Sequence, residues 1–306
     1  MANSFEKSSS LFLCLLSFLS FLPHVDSISF NITHFEKNTQ NIIYRGDANA
    51  SGGAVDLTNI NHGCSIGRVI YAKNVQIWDS STQKLSDLST HFSFSIDTQE
   101  KSDYGHGLAF FMTADALAFY IPQNVAGGFL GLELPTNHGA LRNQTVHVEF
   151  DSRHDEWDPH DVDNHVGINN NSLASSKYTY WNASLHSGDT ADVWITYNAS
   201  TKNLSVSWSY RKSSDQQVSS LSLVIDLMQV LPEKVVVGFS ASTGFRIEHH
   251  QLKSWEFSSS LKANSNFKKK VRVAVKWSFN GVIVDFQRRP GFFVRPLQQT
   301  KFDIRN

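Results

Sequence analysis

The chain has 306 residues, enough for one large β domain or two ordinary ones. Hydrophobic residues make up 41% of it, so a substantial core can be buried. Its 27 basic and 28 acidic residues leave a net charge of -1, which gives no general electrostatic attraction to nucleic acid.

Residues 11–22, LFLCLLSFLSFL, form an apolar run preceded by Lys7 and followed by small and polar residues. About 20 apolar residues are needed to cross a bilayer, so this run is too short and reads as a secretory signal peptide spanning 1–27, cut after Ser27. The expected destination is the secretory pathway, then the extracellular space (apoplast) or the vacuole. Cleavage removes Cys14 and leaves Cys64 alone, so no intramolecular disulfide forms. Stability must then come from the core or from bound metal. Sequons at Asn31, Asn49, Asn143, Asn170, Asn182, Asn198 and Asn203 suggest a glycoprotein.

Strand patterns recur from there on, without any long helical period. HFSFSI (91–96) alternates Phe92, Phe94 and Ile96 with His91, Ser93 and Ser95. GLAFFMT (107–113) reads as a more deeply buried strand. In the segment 146–168, Val146, Val148 and Phe150 alternate with His147, Glu149 and Asp151. That period of two puts Glu149 and Asp151 on one face of a strand, opposite an apolar face. Asp155, Asp158 and His165 follow on a loop and its return strand.

Carboxylates this close repel one another, and a divalent cation relieves the repulsion. Oxygen ligands suit calcium, and a mixed carboxylate–imidazole set suits manganese or zinc. Two divalent ions would balance the four carboxylates, with His165 as a neutral ligand.

Further along, DVWITY (192–197), SLVIDL (222–227) and KVVVGFS (234–240) read as buried strands, and NLSVSWSY (203–210) as a half-buried one. So many strands without βαβ alternation predict two packed antiparallel sheets. After Leu261 the character changes. Residues 262–306 carry eleven Lys or Arg and two acids, Asp285 and Asp303, and read as a solvated, poorly ordered basic extension with no stretch able to span a membrane.

Over residues 28–261 the chain resembles a legume lectin. The resemblance rests on ordered blocks: ISFNIT (28–33), NIIYRGDA (41–48), GRVIYAKNVQIWDS (67–80), HFSFSI, GLAFFM (107–112), IPQNVAGGFLGL (121–132), VEFDS…WDP…HVGINNNS (148–172), LPEKVVVGFSASTG (231–244) and SWEFSSSL (254–261). It implies an all-β jelly-roll sandwich of two large antiparallel sheets with adjacent manganese (Mn2+) and calcium (Ca2+) sites. Carried over, Glu149 and His165 would bind manganese, Asp151 and Asp158 would bridge both ions, and Asp155 with the Arg153 carbonyl would bind calcium. Ser175 would reach manganese through a water. The resemblance also implies association as a homodimer or tetramer.

The implied sugar pocket departs from the family at three points. His106 stands where an Asp is usual, and neutral imidazole has one acceptor nitrogen. Arg153 replaces a stacking aromatic. Asp155 replaces an Asn, and cannot donate a hydrogen bond when ionised. Gly128 remains, and Phe245 and Arg246 occupy specificity positions. Each lost hydrogen bond to a buried polar group costs about 1–3 kcal/mol, so binding of simple mannose, glucose or galactose should be weak. The extra basic groups His106, Arg153 and Arg246 make acidic or complex glycans candidate ligands.

Three functions compete: a secreted lectin with altered specificity; a metal-stabilised storage or defence protein that has lost sugar binding; and an enzyme. Related sandwich glucanases use an E-x-D-x-E strand, but here Arg153 follows Glu149 and Asp151, so no enzyme is expected. Receptor kinases share the lectin module, and without a spanning helix or kinase motif in the sequence a soluble product is expected.

Overall fold

The computed structural model describes residues 27–114, 118–132, 144–211 and 218–261, and the backbone of one short strand pair beyond them. The expected signal peptide through Asp26, the sequon Asn143 and most of the basic extension lie outside the described residues. The chain divides into two units, Met1–Ala263 and Asn264–Asn306. In the second, Ser278–Phe279 pairs antiparallel with Val282–Ile283.

The first unit is built from two eight-stranded sheets, with antiparallel pairing throughout. At the middle of the back sheet, Leu88–Asp97 lies between Ala191–Asn198 and His249–Ser259. The front sheet runs from Lys177–Tyr180 through His165–Asn170, Thr145–Asp151, Gly107–Thr113, Lys234–Ser242 and Ile66–Tyr71 to Ile42–Gly46.

Alternation decides which side chains meet between the sheets. Phe92 and Phe94 of the back sheet point inward and cross Phe239 and Phe150 of the front sheet edge-on, each with ring centroids 4.8 Å apart. Trp255 is fully buried beside Phe239, and its indole N–H donates to Thr90 Oγ1 at 3.0 Å. A smaller apolar cluster of Ile70, Ala109, Phe111, Leu130, Leu132 and Val236 forms on the opposite face of the front sheet. It ties the 118–132 segment down and so carries Gly127–Phe129 to the end of the sheet.

Two strand expectations need correction. Segment 192–197 is not deeply buried: Ala191–Asn198 alternates buried and exposed positions, with Trp194 on the outer face against His91. Segment 222–227 is not a buried strand. Ser219–Val224 is the outermost strand of the back sheet, Val224 is exposed, and pairing ends there. Asp226 accepts from Met228 N and caps the short helix Leu227–Val230, so the polar side chain breaks the apolar run.

Candidate functional site

The front sheet places the acidic residues by register. Asp151 pairs with His165 and Glu149 with Gly167, while on the other side they oppose Gly107 and Ala109. His147, Glu149 and Asp151 therefore point the same way, and His165 arrives beside Asp151 from the next strand. The 152–164 connection folds back over them. The Arg153 N–H donates to Asp151 Oδ1 at 2.8 Å, the Asp155 N–H to Asp158 Oδ2 at 2.6 Å, and Asn164 Nδ2 to the Ser152 carbonyl at 2.7 Å across the base of the loop.

Asp151, Asp158 and His165 are all buried and present donor atoms within 4.8 Å of one another. Glu149 lies alongside, its Oε1 3.2 Å from His165 Nε2 and accepting from Ser175 Oγ at 2.6 Å. The second oxygen of Glu149, Oε2, lies 3.5 Å from His147 Nε2. Gly167 makes room for this group: a Cβ there would stand 2.0 Å from Ser175 Oγ and 2.6 Å from Glu149 Oε1.

The electrostatics divide the acids. Burial, then the neighbouring Glu149 and Asp158 charges, push the Asp151 carboxyl well above the usual range. Burial likewise pushes Asp158 up to about 6. For Glu149, burial acts upward too, but the adjacent imidazoles of His147 and His165 outweigh it and hold the carboxyl below its ordinary value. Two buried carboxylates that cannot comfortably ionise, beside an imidazole and a third acid, match the donor chemistry of a divalent cation. The cluster therefore fits a divalent ion in donor type and burial, while Asp155 lies outside it with its Oδ2 turned to His106.

The expected sugar-contacting residues adjoin this cluster, in altered roles. His106 Nδ1 lies 2.9 Å from Asp155 Oδ2, so these two side chains are in direct contact. Gly128 abuts the same carboxylate: a Cβ there would stand 1.8 Å from Asp155 Oδ2 and 3.0 Å from Trp157. Trp157 in turn lies against Phe129 with ring centroids 5.0 Å apart. The Arg153 guanidinium turns outward to Asp103 and the Tyr104 carbonyl. Arg246 Nε reaches the other oxygen of Asp103 at 2.5 Å. Both arginines share one acid, whose carboxyl is held below its usual range first by the hydrogen bond from Arg153. Phe245 is 91% exposed at the rim.

Among the residues that sequence reasoning missed, His147 was visible as the third member of the alternating polar face, and Asp103 had no sequence signal at all. Glu248 was equally silent. It is fully buried, accepts from Ser152 Oγ at 2.5 Å, and lies 2.7 Å from His250 Nε2, linking the loop that carries Phe245 to the acidic loop. A cavity of about 440 Å³ lies beyond Arg153, between Tyr104, Asn164 and Tyr180; of the expected sugar contacts, only Arg153 lines it.

Two antiparallel sheets packed face to face, with a buried carboxylate–imidazole cluster and a polar rim at one end of the front sheet, define a lectin-type sandwich. The chain belongs to the Legume lectin domain family, whose profile matches residues 27–272. It is 46% identical over 310 residues to the L-type lectin-domain containing receptor kinase IX.1 of Arabidopsis thaliana, an alignment covering 98% of this chain and 46% of that protein. The chain thus spans less than half the length of that relative. It is 39% identical to the seed lectin of Vatairea macrocarpa, covering 78% of this chain and 98% of the lectin. The solved seed lectin of Lotus tetragonolobus superposes with a TM-score of 0.69 at 36% identity, over 77% of this chain and 99% of that one. The family is one of carbohydrate-binding proteins, and the jelly-roll sandwich expected from the sequence is the fold found.

Proposed function

We propose that this protein is a secreted, non-enzymatic glycan-binding protein whose binding loops are organised by a calcium–manganese pair. Glu149 and His165 would hold manganese, with Ser175 reaching it through a water. Asp151 and Asp158 would serve both ions, and Asp155 with the Arg153 carbonyl would hold calcium. The ions supply positive charge that lets the buried acids ionise and fixes the 152–164 loop. The observation carrying this reading is the burial of Asp151, Asp158 and His165 with donor atoms within 4.8 Å.

Glycan contacts fall to His106, the backbone at Gly128, Asp155, Arg153, Phe245 and Arg246, with weakened recognition of simple mannose, glucose or galactose. His106 has one nitrogen turned to Asp155 and so offers a sugar only the other. With Arg153 turned to Asp103, the exposed aromatic face at the rim is that of Phe245. The rim also speaks against acidic glycans: Asp103 and Asp155 offset Arg153, Arg246 and any charge on His106.

A second reading is a metal-stabilised storage or defence protein without sugar binding. It is favoured by that same His106–Asp155 contact, which ties up groups a sugar would use. A glycan array run with calcium and manganese, and repeated after chelation, decides between the two. Glycan signals that vanish on chelation support the lectin reading. No signal in either condition, with measurable ion binding, selects the second.

A further inference from the structure

The imidazole of His147 is an anomaly. It is 3% exposed, and neither ring nitrogen has a hydrogen-bond partner. Buried polar groups are normally satisfied, and an exception calls for a reason. The strand alternation that brings Glu149 and Asp151 to the cluster brings His147 to the same face, one pleat further from the 152–164 loop. Its Nε2 lies 3.5 Å from Glu149 Oε2, the oxygen turned away from His165 and Ser175. Glu149 is thus bracketed, with His165 and Ser175 on one oxygen and His147 on the other.

We infer that His147 is a positioning residue for the transition-metal half of the site: its Nε2–H donates to Glu149 Oε2 and orients Oε1 toward the ion beside His165. A closure of a few tenths of an ångström brings 3.5 Å within hydrogen-bond range. This deepens the metal reading above and rests on it. Groups that orient a metal ligand typically contribute 10–100-fold to metal affinity. The contribution falls on the ion that Glu149 holds. It does not extend to calcium, whose expected ligands lie along the 151–158 segment.

The test is direct metal binding by the full chain, stripped of ions and titrated separately with manganese, followed by electron paramagnetic resonance of free Mn2+, and with calcium, followed by calorimetry. For His147→Ala the expected result is a 10–100-fold weaker manganese affinity with calcium affinity within threefold of the parent. His147→Gln, which keeps an N–H donor at about the same reach as the imidazole Nε2, should recover part of the loss and guards against a packing defect in the alanine variant. Unchanged manganese affinity in both variants would overturn the inference, as would equal loss of both ions without recovery in His147→Gln. If the parent protein binds no manganese, the metal reading itself fails, which is a distinct outcome.

Discussion

Without divalent ions, this protein's stability should fall as pH rises toward neutrality. Asp158 has its carboxyl pushed up from 3.8 to about 6, by burial before all else, and burial pushes Asp151 up as well. A group with a raised folded pKa adds stability that is complete below its unfolded value and is lost as pH rises through the folded one. Without ions, the two aspartates therefore destabilise the fold increasingly from about pH 4 to pH 7. Glu149 has the opposite displacement, but it is ionised in both folded and unfolded states across most of that window, so it adds little slope. For Asp158 alone the loss is on the order of 2 kcal/mol after allowing for solvent screening near the loop.

In a domain of this size 1 kcal/mol moves Tm by roughly 2–4 °C. About half of that loss falls between pH 5 and pH 7.5, so the chelated protein should melt at least roughly 2–4 °C lower at pH 7.5 than at pH 5. With saturating calcium and manganese the drop should vanish, because the ions favour the ionised acids. Differential scanning calorimetry across pH 4.5–7.5, with and without chelator, measures both curves. Asp158→Asn should flatten part of the chelated curve. A chelated Tm that is level or rises between pH 5 and 7.5 would refute the reasoning, since the burial penalty on which it depends would be absent.

Other outcomes follow from single contacts. Gly128→Ala drives a Cβ to 1.8 Å from Asp155 Oδ2, so that carboxylate must leave His106. We expect about 1–3 kcal/mol of destabilisation from overpacking and a fall in calcium affinity, both readable by calorimetry. Asp103→Asn frees Arg153 and Arg246 together. Tm should change little, while binding of acidic oligosaccharides on an array should rise and weaken again with added salt. Trp255→Ala removes a fully buried indole between Phe30 and Phe239. It should cost about 3–5 kcal/mol in denaturant unfolding while leaving ion stoichiometry unchanged.

The fold was legible because its signals are local. In Asn203–Tyr210 the apolar–serine alternation states both the strand and the face it buries. Ser219–Val224 was misread because burial depends on a strand's place in the sheet, and an edge position leaves no mark in a short apolar run. The acidic cluster was legible for the same reason as the strands: Glu149 and Asp151 share a strand face, and His165 returns opposite them. What the sequence did not disclose is pairing between distant loops. Arg153 and Arg246 read as basic groups enriching the rim, and only their meeting at Asp103 turns them into a closed charge set. The His106–Asp155 contact likewise joins residues 49 positions apart.

The sharing of Asp103 between two arginines has a consequence for how such a protein can change. The inner groups, Glu149, Asp151 and His165, sit on paired strands and are held by sheet register, so they vary only at the expense of folding. The outer groups sit on three separate loops joined by exposed side chains, and altering them disturbs no ladder of backbone bonds. One scaffold can therefore be refitted to new ligands by exchanging a few surface residues, while the layer beneath stays as it is.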